Sequence, residues 1–308
     1  MAKEYSLKNI KIDHEYDVHQ ELALPPVNEF KRFAKVFFRR PIVGVGFAIV
    51  VLLLIAGIFA DQIAPHDPYL INLFNTFDAP SARYPLGTDA IGRCLLSRII
   101  HGTRLALLTG VSTVFISATI GITIGLVAGF GGRVAQEVVM RLTDAWISIP
   151  AIIIMMLLGA VLGRGIGGMT IAIGVTMFPA YIRLVFGQVL TVKQNDYIMA
   201  SMAMGDSKVR IVLRHVLPNC LAPIIVVMTM MMGGAVMAEA GLSFIGLGMD
   251  PPTPAWGTMT NDGRQWLASY PHLSLAPGAA IVLLVFGFNM VGDGIRDALD
   301  PKMRGTLN

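Results

Sequence analysis

Charged residues are scarce in this chain of 308 residues, where Asp, Glu, Lys and Arg together make up 14% of the sequence. A soluble domain carries roughly 25% charged residues. Hydrophobic residues make up 54% of the chain, and its mean hydropathy is +0.64. This composition excludes an ordinary soluble domain and predicts an integral membrane protein.

Cysteine and histidine are also rare. The two cysteines, Cys94 and Cys220, fall on opposite sides of the membrane in the topology given below, so we expect no disulfide between them. The six histidines are scattered and include no pair at the helical spacing of metal ligands. The sequence therefore predicts no metal site.

The common catalytic and nucleotide-binding motifs are absent as well. The chain has no Gly-x-x-x-x-Gly-Lys-Ser/Thr loop for phosphates, no Gly-x-Ser-x-Gly nucleophile turn and no His-Glu-x-x-His zinc motif. The glycine-rich stretch 163–168 lies in a short turn with no strand before it. We expect no enzymatic activity, no ATP binding and no cofactor in this chain.

Six apolar runs are long enough to cross a bilayer, which takes about 20 helical residues. They occupy residues 41–60, 103–130, 138–162, 169–190, 219–240 and 275–293. Lys and Arg are unevenly divided between the connecting segments, with sixteen on the side of the N-terminus and five on the other. Basic residues favour the cytoplasmic side, so we expect both termini in the cytoplasm. The predicted fold class is an all-α membrane protein with six transmembrane helices.

This topology divides the chain into four parts. They are a cytoplasmic tail at 1–40, the first span with an external loop at 41–102, a transmembrane core at 103–293 that includes a cytoplasmic loop at 191–218, and a cytoplasmic tail at 294–308. Within the first part, residues 29–40 alternate Phe with Lys and Arg at helical spacing. That pattern predicts a helix lying on the lipid surface, with Phe33, Phe37 and Phe38 in lipid. Its place against a membrane span argues against the alternative, a nucleic-acid patch.

The cytoplasmic loop predicts an elbow of two short helices. Gly205-Asp206-Ser207 interrupts an otherwise helical pattern, because Gly permits a left-handed turn and Asp or Ser can cap the next helix. We expect the second helix to end at Leu217, since Pro218 disfavours helical geometry in the residue before it. Such an elbow is suited to docking into a groove on a partner protein.

The elbow sequence resembles the cytoplasmic loop of permease subunits of bacterial ABC importers. Ala200, Gly205, Leu217 and Pro218 match the family's pattern, whereas Met199, Ser201 and His215 stand where the family prefers Glu, Ala and Ile. The resemblance implies contact with an ATPase subunit through the following residues: Met199, Ala200, Ser201, Gly205, Asp206, Leu217 and Pro218.

The second half of the first external loop contains Leu86-Gly-Thr-Asp89, Gly92-Arg93 and Leu96-Ser-Arg98. This series resembles a sequence pattern of the dipeptide, oligopeptide and nickel permease subfamily. Cys94 replaces an Asp of that pattern. We expect Asp89 to cap a helix at 92–100 with Arg93 and Arg98 on its surface. Two interpretations stay open: an amphipathic helix on the outer membrane surface, or a surface that receives a binding protein.

The second external loop contains Pro251-Pro-Thr-Pro254-Ala-Trp256-Gly257, which resembles a signature of the same subfamily. Clustered prolines predict a stiff segment, and Trp favours the membrane–water interface. We therefore expect Pro254 and Trp256 on an external rim. Residues 289–301 resemble the subfamily's C-terminal signature, so the resemblance covers residues from about 30 to 304.

A few charges lie inside the predicted spans. Arg141 and Asp144 are three residues apart and share a helical face, and Glu239 lies near the outer end of the fifth span. Each is a candidate for the transport pathway, because an ionisable group in a membrane faces the protein interior or a wet cavity. The alternatives are snorkelling for the first two and a structural hydrogen bond for Glu239. Gly121, Gly125 and Gly129 recur every four residues and predict close helix packing.

The resemblance implies the permease architecture of a type I ABC importer in a bacterial inner membrane. Its partners would be the lipid bilayer, a second homologous permease in a heterodimer, two ATPase subunits that bind ATP and Mg, and an external solute-binding protein, with no nucleic acid. Di- and oligopeptides are the first choice of cargo, and nickel or a metal chelate is the alternative. An ion-coupled secondary transporter would instead require inverted repeats and charged or helix-breaking pairs at mid-membrane, and neither is evident in the sequence.

Overall fold

The computed structural model describes residues 29–300, and every regular element among them is helical. The predicted tails at 1–40 and 294–308 therefore lie partly outside the described residues. The twelve α-helices are α1 Glu29–Phe37, α2 Pro41–Ile58, α3 Ala60–Ile63, α4 Leu95–Phe130, α5 Arg133–Ile147, α6 Ala151–Leu162, α7 Ile166–Val192, α8 Asp196–Ala203, α9 Lys208–Ile211, α10 Leu217–Phe244, α11 Trp256–Arg264 and α12 His272–Leu299.

Six crossings make up the bundle. Helices α2, α4, α7, α10 and α12 are each long and apolar enough to span a membrane, and α5 with α6 forms a sixth, bent crossing. Successive crossings run in opposite directions. One end of the bundle carries residues 193–207 and is called the elbow end, and the other carries 61–94 and 245–271 and is called the loop end. The predicted number of spans is confirmed.

The third span is not the straight helix predicted at 138–162. Helices α5 and α6 meet at an angle of 86°. The break falls at residues 148–150, where Pro150 disfavours helical geometry in the residue before it. The prediction of a straight span used only the length and hydropathy of the apolar run and did not take this proline into account.

The helix predicted on the outer surface at 92–100 is also not a separate element. Helix α4 begins at Leu95 and continues without interruption to Phe130, over 36 residues. This length corresponds to about 54 Å at 1.5 Å per residue, well beyond the hydrocarbon layer of about 30 Å. The first turns of α4 therefore project at the loop end as part of the second span.

Glycines allow α4 and α7 to pack closely, as predicted. A Cβ atom at Gly121, Gly125 or Gly129 would overlap side chains of α7, which are Tyr181, Val185 and Val189 respectively. Small residues of this kind let two helix backbones approach within a membrane. The contact fixes the position of α7, which carries the elbow at its end.

The sequence predicted that the second helix of the elbow ends at Leu217, but the helix continues past this residue into the fifth span. Helix α9 continues through a π-helical turn at Val212–Val216 into α10, and residues 208–244 form one helical span. Pro218 is the second residue of α10 but lies inside this longer span, so its missing N–H removes one backbone hydrogen bond from the continuous helix. The wider π turn absorbs the distortion before the proline.

Helix α1 forms where the sequence predicted a surface helix, but it packs on the protein. Phe37 is 6% exposed and lies in a cluster with Val43 and Ala298, and Phe33 packs against that cluster. Phe38 is 50% exposed. The expectation that all three phenylalanines face lipid is therefore wrong for Phe37, because α12 covers it.

Candidate functional site: the elbow, the loop end and an ion pair inside the bundle

The elbow turns at Gly205, whose φ of +85° is the left-handed conformation predicted for it. The Asp206 carboxylate fixes this turn: it accepts a hydrogen bond from Ser201 Oγ at 2.7 Å and another from Arg210 Nη1 at 2.9 Å. Ser207 caps α9 by accepting a bond from the backbone N–H of Arg210. The predicted elbow geometry is confirmed up to Ile211.

The hydrogen bond from Ser201 and the bond and charge of Arg210 lower the pKa of Asp206 below its usual value. The carboxylate is therefore ionised at neutral pH. An ionised Asp206 accepts bonds from both sides of the turn and links α8 to α9.

One face of the elbow is buried and the other is exposed. Ile198 and Ile211 are buried with side chains of α7 and α10, so the elbow is anchored to the bundle. The exposed face, which we call the elbow patch, consists of four apolar side chains with exposures of 52%, 41%, 82% and 67%. They are Met199, Met202, Met204 and Val209. Methionine side chains adapt to many surfaces, which suits the patch to docking.

The predicted coupling residues do not all lie on this face. Met199, Ala200, Gly205 and Pro218 are exposed, and Leu217 is partly buried. Ser201 is 7% exposed and points inward to Asp206, so it positions the turn rather than contacting a partner. Sequence reasoning missed Met202 and Met204, although both are large apolar residues beside the turn.

At the loop end, Asp89 does not cap a helix. Its carboxylate accepts bonds from the backbone N–H groups of Ile91 and Arg93 and lies 2.7 Å from Arg93 Nε, whereas the cap position of α4 is Cys94. Asp89 therefore closes a local turn ahead of α4. The reason is spacing, because its short side chain reaches donors two and four residues on.

Arg98 is buried, in contrast to its predicted place on a surface. It is 3% exposed, and its Nη1 donates bonds of 3.1 Å to the carbonyl oxygens of Pro68 and Pro252. Arg93 is also mostly covered, with 12% of its side chain exposed. Arg98 therefore ties the two loops to the first turns of α4, whereas Arg93 pairs with Asp89 in its own loop.

Trp256 is likewise buried, so it is neither an interfacial anchor nor part of an exposed rim. It is 1% exposed, packs with Leu95, Val236 and Leu273, and donates a bond of 2.9 Å from Nε1 to the carbonyl of Ile99. Pro254 is buried beside it. The segment after the prolines folds into α11 instead of staying extended.

Inside the bundle, Asp144 pairs with a residue of another helix and not with Arg141, which shares its helical face. Asp144 Oδ1 accepts a bond of 2.7 Å from Arg183 Nη2 on α7, while Arg141 is exposed and has no ion pair among residues 29–300. Sequence reasoning missed Arg183, although a lone charge within the apolar run 169–190 was a visible signal. A charged pair is thus present inside the spans, where none was evident from the sequence.

Glu239 is 1% exposed and accepts a bond of 2.7 Å from Ser243 Oγ one turn along α10. Of the two interpretations left open, this geometry favours the structural one. The carboxylate is enclosed by the protein.

These features define an integral membrane subunit whose elbow is anchored on one side and exposed on the other. The chain belongs to the family of binding-protein-dependent transport system inner membrane components, whose pattern it matches over residues 121–305. Residues 29–81 match the N-terminal transmembrane domain of oligopeptide transport permease C.

Characterised relatives agree with this family. The chain is 41% identical to the di/tripeptide transport system permease protein DppC of Pseudomonas aeruginosa over 267 residues, which cover 85% of this chain and 88% of the relative. It is 39% identical to the glutathione transport system permease protein GsiD of Pectobacterium atrosepticum, with 87% and 89% covered. In fold it is similar to an inward-facing structure of the MetNI methionine ABC transporter, with a TM-score of 0.55, 21% identity, and 67% of this chain and 98% of that chain covered.

Proposed function

We propose that this chain is the membrane subunit of an ATP-driven importer of di- and oligopeptides and forms half of the pathway. The observation that carries the proposal is the elbow patch, an exposed apolar face on a rigid turn in a chain of this family. The relatives named for dipeptide, tripeptide and glutathione transport support the choice of cargo.

The subunit would work without chemistry of its own. Two partner ATPase subunits would bind ATP and Mg and receive the elbow in a groove, and a second homologous permease would complete the pathway. An external binding protein would deliver the peptide at the loop end. The sixteen-to-five division of basic residues supports a cytoplasmic elbow end, with both termini in the cytoplasm.

Nickel or a metal chelate is the alternative cargo. No group of three or more His, Cys, Asp or Glu side chains within residues 29–300 could hold a metal ion. The structure therefore offers nothing that favours this alternative over a peptide.

Gly205 provides the test of coupling. Its φ of +85° strains a residue with a branched side chain by roughly 1–2 kcal/mol, whereas Asn tolerates such a conformation. A Cβ atom here would meet nothing within 4 Å in this chain, so the bundle should be unaffected. We expect Gly205→Val to retain membrane insertion but to lose co-purification of the ATPase subunits and uptake of dialanine.

Gly205→Asn is the matched control, since it adds a side chain with little backbone strain. It should keep most of the co-purification. Normal uptake and normal co-purification in Gly205→Val would contradict the coupling role of the elbow.

A further inference from the structure

An open cavity of about 460 Å³ lies between α5, α7 and α10. Its walls combine one charged residue, Arg183, with polar and apolar side chains that include Thr176, Ile147 and Met231. Arg183 also holds Asp144, so the ion pair lies at the edge of the cavity.

The ion pair lies at membrane depth. Arg183 is nine residues from the elbow end of α7, which corresponds to about 14 Å of helix, and Asp144 lies beside it through their 2.7 Å contact. Helix α7 is about 40 Å long and the hydrocarbon layer about 30 Å thick, so Arg183 lies inside the layer for any centred placement. With α7 centred in this way, both charges lie below the membrane surface.

Both side chains are nevertheless half exposed, at 50% for Arg183 and 47% for Asp144. Exposed charges at this depth face water or another polar group rather than lipid, because burying an ion in hydrocarbon is expensive. The contact between Nη2 and Oδ1 is the single hydrogen bond that these side chains make within residues 29–300. Guanidinium donors and one carboxylate oxygen are therefore left for a ligand.

We propose that Arg183 and Asp144 bind the two charged ends of a short peptide as it passes through the cavity, an inference that rests on the proposed function. Arg183 would take the C-terminal carboxylate, which a guanidinium can bind through two parallel hydrogen bonds. Asp144 would take the N-terminal ammonium. These ends are common to all unmodified peptides, while the methionines on the wall, Met177 and Met231, adapt to different side chains.

The test uses the purified complex with its partner permease, ATPase subunits and binding protein. Ala180, which is exposed and lines the cavity, is replaced by Cys and its rate of reaction with a methanethiosulfonate reagent is measured. The native Cys94 and Cys220 are buried and give little background. We expect dialanine to slow labelling at least fivefold, and both dialanine amide and N-acetyl-dialanine to protect much less.

Each charge should control one end of the peptide. Arg183→Gln should make dialanine and its amide protect equally, and Asp144→Asn should do the same for dialanine and N-acetyl-dialanine. Arg133→Gln is the matched control, because it breaks an ion pair with Glu137 at the exposed elbow end and should leave both preferences intact.

Unchanged preferences in Arg183→Gln and Asp144→Asn would overturn this inference, while uptake of dialanine by the wild-type complex would leave the proposed function standing. Loss of the partner permease from the Arg183→Gln complex would show instead that the ion pair is a contact between subunits. A wild-type complex that hydrolyses ATP but takes up no di- or tripeptide would overturn both proposals.

Discussion

Arg98 and Trp256 each join segments that are far apart in the sequence. Arg98 bonds to carbonyl groups 30 and 154 residues away, and the indole of Trp256 bonds to a carbonyl 157 residues away. Both side chains are buried, so their polar groups depend on these partners. The loop end is therefore held together by single residues that the sequence suggested were exposed.

Trp256→Ala should destabilise the loop end by about 3–5 kcal/mol, the usual range for truncating a buried Trp. The measurement is the thermal unfolding midpoint of the purified subunit. Trp256→Phe is the matched control and should lose only about 1 kcal/mol, because Thr103 also donates a hydrogen bond to the Ile99 carbonyl. An unchanged midpoint in Trp256→Ala, with weaker stimulation of the ATPase by the loaded binding protein, would instead support a rim contact.

Among the helices, two prolines have different effects on the spans that contain them. Pro150 ends one helix and bends the third span by 86°, whereas Pro218 is absorbed by the π turn and leaves the fifth span continuous. Pro150 follows a helix and disfavours helical geometry in the residue before it, whereas Pro218 directly follows a π turn, which accommodates the local distortion within a continuous helix. The elbow consequently reaches the fifth span through an unbroken helix, a direct mechanical link from the patch to the bundle.

The elbow should depend on pH through Asp206, whose pKa the Ser201 hydroxyl and the Arg210 guanidinium lower. A lowered pKa means that the ionised group stabilises the turn at any pH above its usual value near 4, and that this stability is lost as the pH falls through the lowered value. A nitroxide on Met204→Cys should therefore keep the same mobility from pH 5 to 8 and become more mobile only in stronger acid.

Asp206→Asn should raise that nitroxide's mobility at pH 7, since the amide cannot pair with the charge of Arg210. Lys208→Gln is the matched control, as it removes a neighbouring charge that forms no ion pair within the described part of the chain. Loosening between pH 5 and 8 would contradict the role of Asp206 in the turn.

For the whole molecule, the division of basic residues predicts which end of the bundle faces the cytoplasm. Ser207 lies at the elbow end and Ser269 at the loop end, and both are exposed. In intact cells, Ser269→Cys should react with an impermeant thiol reagent and Ser207→Cys should react only after permeabilisation. The opposite result would place the elbow outside the cell and exclude its contact with ATPase subunits.

Features that depend on consecutive residues could be predicted from the amino-acid sequence. The number of crossings followed from the length of apolar runs, the elbow turn from Gly205, and the close packing of α4 on α7 from glycines every four residues. Each depends on local composition or helical period, which the chain order displays directly.

The pairing of charges and the burial of side chains, in contrast, depend on the folded arrangement of the whole chain. Asp144 has Arg141 on its own helical face, yet it binds Arg183, 39 residues away. Arg98 and Trp256 follow a surface-like pattern in the sequence, yet they are enclosed by loops and helices from other parts of the chain. Burial and pairing depend on the packing of distant segments, and the period of a single helix carries no information about its neighbours.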